Sequence, residues 1–167
     1  GSIGQRVLPL ILRHVGIQPD QITIVTADEA GEKIAQEYGV RFVKHALTRQ
    51  NFKNVLDPIV GRGDFLLNLS VDVSSLALIK FCWEKGSLYL DTCIEPWPGG
   101  YTDPTVSPAR RTNYALRESA LALRETKTRA PTAVITHGAN PGLVSHFVKQ
   151  ALLNVAADTG VEHGDPN

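Results

Sequence analysis

Short apolar runs of strand character alternate with helical patterns along the chain, and this alternation limits the possible folds more than any other feature. Residues 22–28, 40–43, 64–70, 88–92 and 132–136 read as strands, β-branched or leucine-rich and too short to be helices. Residues 5–15, 29–38, 51–60, 74–85, 109–126 and 141–157 carry helical patterns, with Gly16, Gly39 and Gly86 just past three of their ends. Ser74 or Ser75 serves as one N-cap, and Pro141 stands in the first turn of the last helix. Residues 95–108 hold four of the ten prolines and two glycines, which makes them a long loop. Strands without polar alternation, separated by helices, predict parallel βαβ units with right-handed crossovers, in a doubly wound α/β sheet covered on both faces.

Composition narrows the function classes. A length of 167 residues suits one domain with a sizeable core. Lys+Arg and Asp+Glu are 17 each, so no basic excess is available for a nucleic-acid partner. No apolar run approaches the roughly 20 residues of a membrane span, and no signal peptide is evident. Two cysteines, Cys82 and Cys93, make neither a disulfide framework nor a metal site, and a reducing cytoplasm is the expected compartment.

Four stretches at strand ends carry the candidate chemistry. Gly1, Ser2, Ile3 and Gly4 lead directly into a helix, and Asp28 ends the next strand. In a dinucleotide-binding unit such glycines admit the pyrophosphate to a helix N-terminus, and the acidic residue binds the adenosine ribose hydroxyls. The pattern therefore predicts an NAD(P)-binding Rossmann-type domain over residues 1–157, with 158–167 a polar tail or the start of a linker. Asp28 should favour NAD over NADP. The alternative is a flexible, ligand-free start. The chain opens on the glycines rather than on a strand, so a sheet without its first strand is expected.

The second stretch, 68–75, brings Ser70, Val71 and Asp72 past a strand's carboxyl end, where ligands lie in doubly wound sheets. Simple N-capping is the competing account. The third, 91–101, sets Glu95 and Trp97 together, a carboxylate and an indole suited to a cationic amine. Trp97 could equally cover a core edge, and Cys93 reads as a structural thiol. In the fourth, 137–142, Gly138 and Asn140 can approach the same cleft. Asn140 could bind nicotinamide or amine, or merely cap the last helix. His137 is a possible proton shuttle, although packing is the commoner role; His14, His45, His146 and His163 stand outside any constellation.

Five segments, GSIGQ, NLSVDVSS, LYLDTCIEPWPGGY, PARRTNYALRE and THGANPGLVSHFVKQAL, together resemble the bacterial homospermidine synthases, within the saccharopine-dehydrogenase-like group. The resemblance runs from Gly1 to about Ala157. Gly1 and Gly4 match only the second and third glycines of the family's fingerprint, and the family's large C-terminal catalytic domain has no counterpart here. The resemblance implies a cytoplasmic transferase of polyamine biosynthesis with NAD as a bound redox cofactor, a homodimer when full-length. Putrescine is oxidised to an imine, its aminobutyl group passes to a second putrescine (spermidine is another donor), ammonia leaves, and the retained NADH reduces the new imine. On this resemblance Glu95 binds the ammonium, Asn140 orients the amine or nicotinamide, Asp28 holds the ribose, and Gly1 to Gly4 hold the pyrophosphate. Two rivals share the cofactor domain. A saccharopine-type or carboxynorspermidine-type dehydrogenase would release its NADH and need basic residues for substrate carboxylates. A non-catalytic NAD-binding module would need no further domain.

Overall fold

The computed structural model describes residues 1–126, 129–139 and 142–160. Helix α1 (Ser2–His14) is followed by strand β1 (Thr23–Thr26), helix α2 (Glu32–Glu37) and strand β2 (Arg41–Lys44). Then come α3 (Phe52–Leu56), β3 (Phe65–Asn68), α4 (Ser75–Lys85) and β4 (Leu88–Asp91). After the long loop stand α5 (Asn113–Ala122), β5 (Ala133–Val134) and α6 (Leu143–Thr159). Among the described residues no helix is long and apolar enough to cross a membrane.

Every strand pairing is parallel. β1 pairs with β2, Ile24 opposite Phe42, and a second sheet has the order β3-β4-β5, with Asn68 opposite Asp91 and Leu90 opposite Val134. In a doubly wound sheet of order 3-2-1-4-5-6 one strand lies between these two halves; none of the five described strands occupies that place. The register aligns the carboxyl ends of β3 and β4, so the loops that follow them emerge side by side.

The core lies on β3 and β4. Helix α4 turns Leu78, Ile79, Phe81 and Cys82 onto Tyr89, Ile94, Phe52 and Leu56, all buried. Local chemistry sets the limits of this helix. The Ser74 hydroxyl accepts the Ala77 N–H at its start, and Gly86 takes a left-handed φ of 75° at its end, a conformation glycine adopts without Cβ strain. Burying four such side chains contributes on the order of 6–12 kcal/mol before chain entropy is subtracted.

Element limits differ from the sequence expectation: α1 starts at Ser2 rather than 5, α3 ends at Leu56 rather than 60, and three later elements depart further. The helix expected over 109–126 starts only at Asn113, because Pro108–Arg110 forms a 3₁₀ turn and Thr112 caps the Ala115 N–H. It passes into a 3₁₀ turn at Leu123–Thr126. The strand expected over 132–136 shrinks to Ala133–Val134, bounded by a left-handed Thr136 with φ 54°. The last helix starts at Leu143 behind Gly142, with no side-chain cap; Asn140 and Pro141, expected to start it, lie outside the described residues. α6 extends to Thr159, past the expected edge at 157, and buries none of its side chains, with Phe147 64% and Leu152 65% exposed.

Candidate functional site

Helix α1 begins on Gly1 with no side-chain cap, so its first N–H groups have no intrahelical partner and carry the positive end of the helix dipole. A Cβ placed on Gly1 or Gly4 would meet nothing within 4 Å, which leaves the approach to Ser2 and Ile3 open. One placed on Gly31 would lie 3.5 Å from Gln5 Cγ, so the first turns of α1 run beside the loop that follows β1. Asp28 sits exposed in that loop, with Oδ1 accepting the Ala30 N–H at 3.0 Å. Free N–H donors next to a carboxylate form a donor set that fits a dinucleotide, with phosphate at the helix end and ribose hydroxyls at Asp28.

The loop after β3 is shaped by Asn68. Its Oδ1 accepts from both the backbone N–H and the hydroxyl of Ser70, which folds the chain sharply outward. Val71 is then 73% exposed, and Asp72 takes a left-handed φ of 62°. A bare valine beside a strained aspartate suits a surface that a flat ligand covers.

The loop after β4 carries the strongest electrostatic feature. Glu95 is only 9% exposed, and its Oε2 is buried with no hydrogen-bond partner among the described residues. Burial pushes its carboxyl above the usual carboxylate range; hydrogen bonds from the Cys93 thiol and the Asp72 backbone counter this, while the charges of Asp72 and Asp91 add to it. The described structure brings no cation to it. A desolvated carboxylate in this state is costly unless a cationic ligand arrives. Its position is well supported, since its N–H donates to Ser75 Oγ at 3.0 Å and the Ser75 N–H donates to its carbonyl at 2.9 Å.

The rest of that loop is braced. Trp97, 9% exposed, joins the core against Phe52 rather than lying open as a cation–π face. Tyr101 Oη donates to the Ile94 carbonyl at 3.1 Å and lies 2.8 Å from Asn113 Oδ1, clasping the loop to α5. Burial, with Glu95 nearby, pushes the Tyr101 phenol up to about 12, so it stays protonated. Burial and the Glu95 carboxylate also push the Cys93 thiol up, which leaves it a poor nucleophile.

At the carboxyl end of β5, the His137 N–H donates to the Asp91 carbonyl at 3.0 Å, and Gly138 bridges to Gly142. The exposed His137 ring leans edge-on against His146 of α6, with centroids 5.6 Å apart. The structure therefore gathers Ser70, Asp72, Glu95, His137 and Gly138 on one edge, at the ends of three adjacent strands. Asn140 falls outside the described residues.

Sequence reasoning missed five residues that hold this edge: Ser75, Tyr89, Asp91, Tyr101 and Arg111. Arg111, whose Nη1 donates to the Tyr101 carbonyl at 3.4 Å, lies ten residues down the chain from the tyrosine it braces. Of the five, Ser75 gave a sequence signal only as a candidate N-cap, and Asp91 as an acidic residue ending an otherwise apolar strand.

Comparison with known proteins accords with this geometry. Residues 1–135 match the family model of the saccharopine dehydrogenase NADP binding domain. Homospermidine synthase of Blastochloris viridis is 47% identical over 99% of this chain, and that of Mesorhizobium japonicum 44% over the same share. The chain spans 35% of the length of each of these relatives. The crystal structure of the Legionella pneumophila homospermidine synthase in complex with NAD superposes with a TM-score of 0.86 at 44% identity, covering all of this chain and 34% of that one.

Proposed function

The chain belongs to the saccharopine dehydrogenase NADP-binding domain family, and from that footing we propose that it is the nucleotide-binding part of an NAD-dependent homospermidine synthase. The observation that carries the substrate side of this reading is the buried Oε2 of Glu95, which has no hydrogen-bond partner among the described residues and stands beside two further carboxylates with no described cation to meet it. A diamine such as putrescine brings that cation. The relatives' name and the NAD in the solved relative support the same reading.

Bound NAD supplies a hydride acceptor and donor at a nitrogen-bearing carbon. The residues of this chain do the holding. The backbone at Gly1, Ser2, Ile3 and Gly4 receives the pyrophosphate, and Asp28 the adenosine ribose. Ser70, Val71 and Asp72 border the ring system, Gly138 approaches from the end of β5, and the role proposed for Asn140 is to orient the amine or nicotinamide. Glu95 binds the ammonium of the amine, and the charge-assisted bond is worth about 1.5–3 kcal/mol. Trp97, packed on Phe52, holds Glu95's loop against the core. The reaction joins two putrescine units and releases ammonia with no net redox change, a transferase outcome. The full-length protein is proposed to act as a cytoplasmic homodimer, and the 167-residue chain alone to be inactive.

The test is to incubate the full-length protein with NAD and putrescine, then measure homospermidine by mass spectrometry and NADH by absorbance. Homospermidine without NADH build-up is expected. NADH accumulating in proportion to product would point to a dehydrogenase instead. No turnover with intact NAD binding would leave a binding module. Glu95→Gln should lower kcat/KM for putrescine roughly ten- to a hundred-fold, with NAD affinity almost unchanged.

A further inference from the structure

Asp91 ends β4 and is fully buried, yet no cation among the described residues pairs with its carboxylate. Its hydrogen bonds lead instead to three separate loops. Oδ1 accepts the Thr136 N–H at 2.6 Å, at the end of β5. Oδ2 accepts the Tyr89 hydroxyl at 2.9 Å; that hydroxyl accepts from Asn68 Nδ2 at 3.2 Å, and Asn68 Oδ1 in turn shapes the Ser70 turn after β3. The Ser75 hydroxyl also hydrogen-bonds the carboxylate, and the same Ser75 oxygen accepts the Glu95 N–H. The Asp91 carbonyl takes the His137 N–H.

We propose that Asp91 is a positioning residue for the amine reaction: its carboxylate sets Glu95, the Ser70 turn and the His137 loop at fixed distances from one another. The proposal rests on the functional reading above and goes beyond it, because Asp91 touches no substrate in this account.

Thr136 carries backbone strain. A β-branched residue at φ 54° is strained, and such strain persists only where its surroundings enforce it. The Asp91 bond to the Thr136 N–H provides that enforcement, and it turns the chain so that His137 and Gly138 face the end of β4. A carboxylate suits the hub because it accepts on both oxygens, and all three groups that converge on it donate. An asparagine would keep one acceptor and turn an NH₂ donor toward Tyr89 or Thr136, breaking one arm at unchanged volume. Burial raises the Asp91 carboxyl above its ordinary range, against the lowering effect of Thr136, Ser75 and Tyr89.

The full-length protein separates placement from stability through Asp91→Asn, Ser75→Ala and the double variant Asp91→Asn/Thr136→Gly. Tm, NAD affinity by titration, and kcat and KM for putrescine are measured well below each Tm. Asp91→Asn should cut kcat at least about tenfold, as expected for misplacement on the ångström scale, a larger fall than in NAD affinity, since the Ser70 turn and Gly138 only border the cofactor. Ser75→Ala, which removes the hydroxyl that accepts the Glu95 N–H, should lower kcat/KM for putrescine about tenfold, and it keeps the test open if Asp91→Asn does not fold. Glycine at 136 reaches φ 54° without strain, so the double variant should regain part of the lost kcat. Parental kcat in Asp91→Asn with only a lower Tm would overturn the proposal. So would a parallel fall in NAD affinity, an unaffected Ser75→Ala, or no recovery in the double variant. A parent that makes no homospermidine would instead overturn the functional reading.

Discussion

The indole of Trp97 packs on the ring of Phe52, with centroids 5.5 Å apart and planes tilted by 53°. The contact ties the loop that carries Glu95 to helix α3, so the residue two places beyond the candidate amine-binding carboxylate serves as an anchor in the core.

Trp97→Ala should therefore cost about 3–5 kcal/mol in urea denaturation of the full-length protein. Trp97→Phe keeps a ring on Phe52 and should leave the KM for putrescine nearly unchanged. A large rise in that KM for Trp97→Phe, with stability intact, would show that the indole face meets the amine.

Glu95 carries a cost that the proposed amine site would explain. Its folded pKa is raised, so its contribution to folding is most favourable at low pH, where it is neutral. Stability is then lost as pH rises from the ordinary glutamate value of about 4.3 through the raised value. At pH 7 without amine, Glu95→Gln should match or exceed the parent in Tm, and the difference should vanish near pH 4. Adding putrescine should raise the Tm of the parent more than that of the variant. A variant less stable than the parent at pH 7 without ligand would mean the carboxylate already has a compensating cation.

The ribose role proposed for Asp28 makes its charge decisive for cofactor choice. A carboxylate placed at the ribose hydroxyls repels a 2′-phosphate, so the full-length protein should bind NAD at least about tenfold more tightly than NADP, roughly 1.4 kcal/mol. Asp28→Ala should narrow that gap, read by fluorescence titration of both cofactors. Equal affinities in the parent would remove Asp28 from the site.

Gly142 admits no side chain. Its φ is 115°, and a Cβ there would stand 2.6 Å from the Gly138 carbonyl oxygen and 2.8 Å from the Gly138 nitrogen, both backbone atoms that cannot swing aside. Gly142→Ala should cost more than about 2 kcal/mol and lower amine turnover, because the same turn carries His137 and Gly138. Gly16→Ala, with nothing within 4 Å of its Cβ, is the neutral control. Equal Tm values for the two variants would contradict the turn geometry.

The sequence by itself determined the order of elements and their parallel pairing. Apolar runs such as 64–70 lack polar alternation, and only strands covered by helices on both faces can bury them. It also determined the position of Glu95 past a strand's carboxyl end and the cap at Ser74, both of which depend on neighbours close in the chain. Element limits were less legible. Thr112 and Thr136 set them through a hydroxyl cap and a left-handed φ, and pattern alone does not assign these.

Only the tertiary structure decided what surrounds Glu95 and Asp91. Asp91 meets Thr136 across 45 residues, Glu95 meets Ser75 across 20, and Trp97 meets Phe52 on a different helix. Hydrogen bonds and ring contacts are short-ranged, so such partners exist only once the parallel register has brought the ends of β3, β4 and β5 together. Periodicity reports which face of an element is buried but not which distant residue will meet it there. The charge of Glu95 could be read from the chain, but its isolation in the interior depended on the fold.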